Sequence, residues 1–202
     1  MEQPKLKIGI MSELEIEFCF KGEYLSSAKG ITYIGNQTIR IEKDQILLNG
    51  LPVKPEELLF EPADKKNGSF ELKDVTIGVQ FHWERKEDPL FKGALQFLTE
   101  DGKLVAINIL PLEDYLISVI SSEMSSTSSI ELLKAHAITS RSWLIAQVVK
   151  GKEVRQAREK YQTIFESDEE YIRWWDREDH ALFDVCADDH CQRYQGITRQ
   201  TS

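Results

Sequence analysis

The chain has 202 residues, three cysteines, four histidines and a formal net charge of −9, with 41% hydrophobic and 29% charged residues. That length suits one larger domain or two small ones, and the apolar fraction can fill a core without disulfides or oligomer contacts. The 34 acidic against 25 basic residues leave no cationic footprint for nucleic acid or for an anionic membrane surface, and no apolar run reaches the roughly 18 residues of a spanning helix.

The N-terminus, Met1 to Ile8, lacks the apolar centre of a signal peptide. The chain is therefore expected to be cytoplasmic, or to have lost or never included an export signal. From residue 5 onward the polar–apolar alternation predicts strands at Lys5–Ile10, Ile16–Phe20, Ile31–Ile34, Thr38–Ile41, Gln45–Leu48 and Val75–Val79. Gly35-Asn36, Asn49-Gly50 and Asn67-Gly68 read as turns between them. Asn49-Gly50 fits a two-residue hairpin. Asp101-Gly102 fits another, between Leu90–Leu98 and Lys103–Ile109.

Pro111 changes the pattern. Proline suits the first position of a helix, and Leu112, Leu116, Val119 and Ile120 follow at helical spacing. The serines around Glu123 and Met124 should break this helix. Ser128 with Glu131 reads as a capping box opening a second helix, Ile130 to about Val149, which Gly151 should end. Its apolar stripe runs through Ile130, Leu133, Ala137, Leu144 and Val148. A third helix is predicted from about Glu153 to Phe165. The expectation is an α+β chain: a β-rich part over 1–107 with hairpins, then a helical part over 108–202.

Glu123 is the candidate catalytic residue. Steps of four and three from Leu112 through Leu116 and Val119 land on it, at the end of the apolar stripe and in the junction between two helices. A carboxylate partly withdrawn from water is harder to ionise, which suits a general acid near neutral pH. The competing reading is a solvated glutamate at a helix end.

Asn108 to Met124, with Leu-Pro-Leu-Glu-Asp-Tyr-Leu and Glu123-Met124, then Ile130 to Trp143, with Lys-Ala-His-Ala and Ser140-Arg141, resembles the SpoIID/LytB family of stage II sporulation protein D and amidase-enhancer domains. The likeness resumes at Asp184-Val-Cys and at His190-Cys-Gln-Arg-Tyr-Gln-Gly. The resemblance implies a lytic transglycosylase acting on peptidoglycan glycan strands stripped of stem peptides, with Glu123 as the single acid/base and 1,6-anhydro ends as product. It implies Arg141 as a substrate-binding residue, since the guanidinium fork suits planar oxygen groups. A structural partnership of Arg141 with Glu113, Asp114 or Glu123 is the alternative. The other functional reading is a non-catalytic module that binds glycan or enhances a cell-wall amidase. An extracytoplasmic location follows from the family substrate.

Three positions depart from the family pattern. Ser125 replaces a proline, which should loosen the loop. His136 replaces a glutamine, and Ser142-Trp143 replaces Thr-Tyr. His136, as a lone helical histidine, reads more readily as a packed or surface residue. Trp143, Trp174 and Trp175 could stack on sugar faces, though packing is their commoner use. Glu113 and Asp114 suit the first turn of a helix.

His180, Cys186, His190 and Cys191 offer two imidazoles and two thiolates, a set that suits a structural tetrahedral zinc with no open position. Some members of the resembling family hold zinc here. A Cys186–Cys191 disulfide and plain thiols remain the alternatives, and Cys19 reads as a core residue. Asp184, Asp188 and Asp189 read as solvated loop charges. The family domain normally continues beyond Gly196 with further strands, so the chain is expected to be an incomplete domain.

Overall fold

The computed structural model describes residues 3–26, 30–43, 45–79, 81–157, 164–167, 170–173 and 180–198. Its elements in chain order are β1 (Lys5–Glu13), β2 (Glu15–Ser26), β3 (Thr32–Glu42), β4 (Gln45–Leu48), β5 (Leu51–Pro52), a 3-10 turn (Pro55–Glu57), β6 (Leu59–Pro62), β7 (Ser69–Leu72) and β8 (Val75–Ile77). Next come β9 (Arg85–Glu87), β10 (Leu90–Lys92), β11 (Ala94–Glu100), β12 (Lys103–Pro111), α1 (Leu112–Glu123), α2 (Ile130–Ala157), β13 (Ile164–Glu166), β14 (Tyr171–Arg173) and β15 (Val185–Cys186). This is the expected α+β arrangement, strands first and helices after.

One large sheet runs β15-β1-β12-β11-β6-β2-β3-β4-β5, with β7 on β2 and β10 on β7. The β1–β15 pair is parallel, and the sheet's other pairings among the described residues are antiparallel. Alternation along β2 sends Ile16, Phe18 and Phe20 inward. There they meet Phe60, Phe70, Phe91 and Phe97 in a core of edge-on and tilted rings. Tyr24 stacks on Phe20 at 4.2 Å, and burial drives its phenol well above the usual range. Cys19 is buried in this strand as a free thiol.

Both predicted hairpins form. Leu48 faces Leu51 across Asn49 (φ 52°) and Gly50 (φ 78°), and Glu100 faces Lys103 across Asp101 (φ 50°) and Gly102 (φ 76°). Two successive positive φ angles match the twist of the flanking strands. Gly35-Asn36 is not a turn. Thr32–Ile34 and Thr38–Ile41 lie on one continuous strand, β3, which Ile31 just precedes, and Gly35 (φ 71°) sits beside an irregularity where β2 takes extra residues between Phe20 and Tyr24.

The helices also correct the expectation in detail. Pro111 is the cap residue, its ψ of 146° still extended, so α1 begins at Leu112. Ser129, not Ser128, caps α2: its hydroxyl accepts from the Leu132 N–H at 3.3 Å and its carbonyl from the Leu133 N–H. Glu131 instead pairs with Lys134. Gly151 does not end α2, which continues to Ala157, so the start of the predicted third helix belongs to it. Ile164 and Phe165, at that helix's expected end, lie in β13; a single glycine costs only about 1 kcal/mol in a helix that packing already supports. The face turned inward is Leu133, His136, Ala137, Ser140 and Leu144, while Ile130 is exposed.

The C-terminal segment returns to the sheet. Asp184 N–H donates to the Lys7 carbonyl and Lys7 N–H to the Asp184 carboxylate. Tyr194 stacks between Phe91 and Tyr115, and its hydroxyl donates to Asn108 Oδ1 at 2.6 Å. Asn108 is fully buried, and its amide donates to the carbonyls of Lys92 and Ala94. Gly196 (φ 65°) passes so close to Leu90 that a Cβ would lie 2.1 Å from its carbonyl oxygen. Replacing Tyr194 by Phe strands the buried Asn108 oxygen. The expected loss is about 1–3 kcal/mol, read by urea denaturation; an unchanged midpoint would contradict it.

Candidate functional site

Glu123 is the last residue of α1. Met124 ends the helix by turning to ψ 146° while its N–H still reaches the Ile120 carbonyl. The linking loop is closed by Ser125, whose Oγ lies 2.8 Å from Thr127 Oγ1 and accepts from the Thr127 N–H. Its carbonyl accepts from the Ser128 N–H. Hydroxyl bonding thus shapes the turn that a proline would otherwise restrict.

Among the described residues, two protein groups hold the Glu123 carboxylate. The Arg193 backbone N–H donates to Oε1 at 3.0 Å. His136 Nε2, from α2, lies 2.8 Å from Oε2. The Glu123 side chain keeps 27% of its surface open and that of His136 12%. A carboxylate fixed on two sides and open on a third is suited to proton exchange with a group arriving from outside.

Arg193 is fixed in turn. Its guanidinium pairs with both Asp189 carboxylate oxygens, at 3.1 and 3.4 Å, and lies 4.6 Å from the Trp83 ring centroid. Trp83 stacks on Phe81, half of which is exposed. Asp189 is therefore an ion-pair partner and Asp184 a strand contact, rather than solvated loop charges. Trp143 is half-buried and packs against the core. Trp174 and Trp175 lie outside the described residues.

Arg141 donates from Nε to Glu113 at 3.0 Å, both side chains about half exposed. Ten residues separate Glu113 from Glu123, about 15 Å along α1. The structure therefore brings His136 and Arg193 to Glu123, and sets Arg141 toward the far end of the helix pair.

The four predicted metal ligands converge. One ligand atom from each of His180, Cys186, His190 and Cys191 lies within 4.8 Å of all the others. Cys191 Sγ is 3.4 Å from His180 Nε2 and 3.5 Å from His190 Nδ1, and Cys186 Sγ is 3.8 Å from His190 Nδ1. Zn–S and Zn–N bonds of about 2.3 and 2.0 Å give a tetrahedral S···N edge of about 3.5 Å, so the donor set fits such an ion. Both cysteines are free thiols. Hydrogen bonding from Cys191, then from His180, the Asp188 backbone and His190, holds the Cys186 thiol down to about 3 against the opposing effect of burial. Tyr115 lies beside this cluster. Burial and the charges of Cys191, Cys186 and Glu123 push its phenol well above the usual range.

The geometry defines a helix-junction carboxylate braced by a His/Cys cluster. The chain belongs to the stage II sporulation protein family SpoIID, which matches residues 100–202, just over half of it. A cell-wall-related role follows from that membership. The chain is also 26% identical over 130 residues to an uncharacterized protein of Brachyspira hyodysenteriae. That match covers 63% of this chain and spans 30% of the relative's length. No solved structure matches the chain.

Sequence reasoning marked Glu123 but not the Arg193 amide, because a backbone N–H leaves no trace in residue identity. An exposed pair such as Glu113–Arg141 contributes little. A double-mutant cycle on Glu113→Ala and Arg141→Ala is expected to give a coupling under about 1 kcal/mol, read by urea denaturation.

Proposed function

We propose that this chain is the core of a peptidoglycan lytic transglycosylase that cuts denuded glycan strands, with Glu123 as its single acid/base. The observation that carries the reading is the open carboxylate at the helix junction, held by the Arg193 amide and by His136. Glu123 first gives a proton to the glycosidic oxygen as the C1–O bond breaks. The C6 hydroxyl oxygen of the same muramic residue then closes on C1, and its proton returns to Glu123. The product is a 1,6-anhydro end. No water attacks, so the second carboxylate of ordinary glycosidases is unnecessary. Phe81, stacked on Trp83, offers an exposed apolar face of the kind on which sugars rest.

Arg141 serves as a substrate-binding residue, exchanging its weak bond to Glu113 for a planar oxygen group on the glycan. The metal is zinc, held by His180, Cys186, His190 and Cys191. It supplies no chemistry to the reaction, because four protein ligands leave no open position; it fixes the segment that delivers Arg193. The substrate puts the work outside the cytoplasm, and among the described residues no helix is long and apolar enough to cross a membrane.

The deciding experiment is mass spectrometry of the products from denuded glycan strands. Wild type is expected to yield anhydro ends, and Glu123→Gln at least about a hundredfold fewer. A glycan-binding or amidase-enhancing module would bind the strands and leave them uncut in both. For the metal, elemental analysis of protein purified without a metal-affinity tag should give about one zinc per chain, lost in Cys191→Ser. Clearly sub-stoichiometric zinc in wild type would remove the site.

A further inference from the structure

We propose that the β8–β9 hairpin carries a glycan-binding subsite away from the reacting bond, in which the open face of Phe81 stacks on a pyranose ring of the strand. This rests on the transglycosylase reading and extends it from the carboxylate to the sugars flanking the cut.

The hairpin is a two-stranded unit apart from the large sheet. Val75 faces Glu87, Thr76 faces Lys86 and Ile77 faces Arg85. Val75 and Ile77 are buried and root it in the core. Between the strands the chain turns at Gly78 (φ 71°). The Phe81 N–H donates to the Gly78 carbonyl and the Glu84 N–H to the Phe81 carbonyl, both at 3.0 Å, so the backbone that carries the ring is tied down. The hairpin lies ahead of residues 100–202, the part matched to the family.

Trp83 is the backing and Phe81 the working surface. Trp83 packs against the core and lies so close to Gly78 that a Cβ there would meet its ring at 2.2 Å. Its ring stacks on Phe81, with centroids 5.4 Å apart and planes 15° from parallel. The Arg193 guanidinium lies over it at 4.6 Å. Phe81, by contrast, is 49% exposed, and Trp83 is its one ring neighbour among the described residues. The second face of Phe81 therefore points away from its backing. The π face of such a ring is electron-rich and attracts weakly positive C–H groups, which a pyranose presents on its flat side.

The occupant follows from charge and from place. An aromatic face beside guanidinium groups also suits a nucleobase. Here both guanidinium groups near Trp83 are paired with carboxylates, Arg193 with Asp189 and Arg85 with Glu87. Their charge is neutralised at short range in a chain of net charge −9, so the face fits an uncharged ring better than a polyanion. Arg193 sets the place. Its guanidinium lies on Trp83 while its own backbone N–H donates to Glu123 at 3.0 Å. One residue thus links the aromatic pair to the carboxylate. A strand with one bond at Glu123 extends over further sugars on either side, and the hairpin is placed to meet them.

Binding remote from the bond acts on KM and not on the chemical step. Phe81→Ala is expected to raise KM on denuded strands about tenfold, with a much smaller change in kcat. The same loss should appear without turnover, by calorimetry of denuded strands binding to the full chain carrying Glu123→Gln. In that background Phe81→Tyr keeps the flat ring and should bind within about twofold of its parent. Phe81→Leu keeps apolar bulk without a flat ring and should lose nearly as much as Phe81→Ala. Phe81 sits on an exposed turn, so all three substitutions leave the core intact.

Phe81→Ala binding as tightly as its parent overturns the proposal. So does Phe81→Leu matching Phe81→Tyr, or single-stranded DNA binding more tightly than glycan through the same ring. Strands bound through Phe81 yet left uncut by wild type keep the subsite and remove the transglycosylase reading. Strands cut equally well by wild type and Phe81→Ala do the reverse.

Discussion

The hydrogen bond from the Arg193 amide to Glu123 joins positions 70 residues apart, and much of the C-terminal segment serves to place that amide. A backbone N–H has no rotamers; its direction is set by the chain on either side. Upstream, β15 is paired in parallel to β1 and the Ala187 N–H donates to the Gly9 carbonyl. Downstream, Tyr194 is wedged between two rings and bonded to buried Asn108. The Ile197 N–H to the Leu90 carbonyl closes the far end. Glu123 is thereby referenced to the sheet and not only to its own helix.

The His/Cys cluster belongs to the same constraint. Cys191 stands two residues before Arg193, and Cys186 lies in β15 itself. A metal at these four side chains would tie His180 and His190 to the strand that anchors the segment, closing a loop with little regular structure of its own. Gln192 adds a cross-brace, its amide donating to the Ser140 carbonyl on α2 at 3.3 Å. The two helices, the cluster and the sheet edge thus meet around one carboxylate. Precision there comes from groups that are individually weak and collectively hard to move independently.

Legibility in the sequence followed the range of the interaction. Asn49-Gly50 and Asp101-Gly102 were readable because a two-residue turn is encoded in its own residues. Gly35-Asn36 carried the same local signal and was overridden, since pairing of β3 along β2 favours an irregularity over a reversal. Gly151 was overridden for a similar reason, by a helix long enough to absorb it. The convergence of His180, Cys186, His190 and Cys191 was legible from donor chemistry, although His180 and His190 stand ten residues apart. His136 was not legible as a partner of Glu123. The two are 13 residues apart across a loop, and a lone histidine on a helix face has no spacing that singles it out. Arg193 and Asp189 were hidden likewise among the charges of an acidic chain.

The role proposed for Glu123 carries a conflict, since an acid that gives up a proton must also be held still. Each donor aimed at a carboxylate fixes its position but favours its ionised form, in which it has no proton to give. Arg141 against Glu123 would hold it firmly and empty it of protons; the structure places that guanidinium on Glu113 instead. Among the described residues, what remains at Glu123 is one neutral amide on Oε1 and one imidazole on Oε2. The amide restrains without adding a full charge. The imidazole restrains the other oxygen from α2, with Nε2 2.8 Å from Oε2. Both oxygens are thereby held from different elements, while 27% of the side chain stays open.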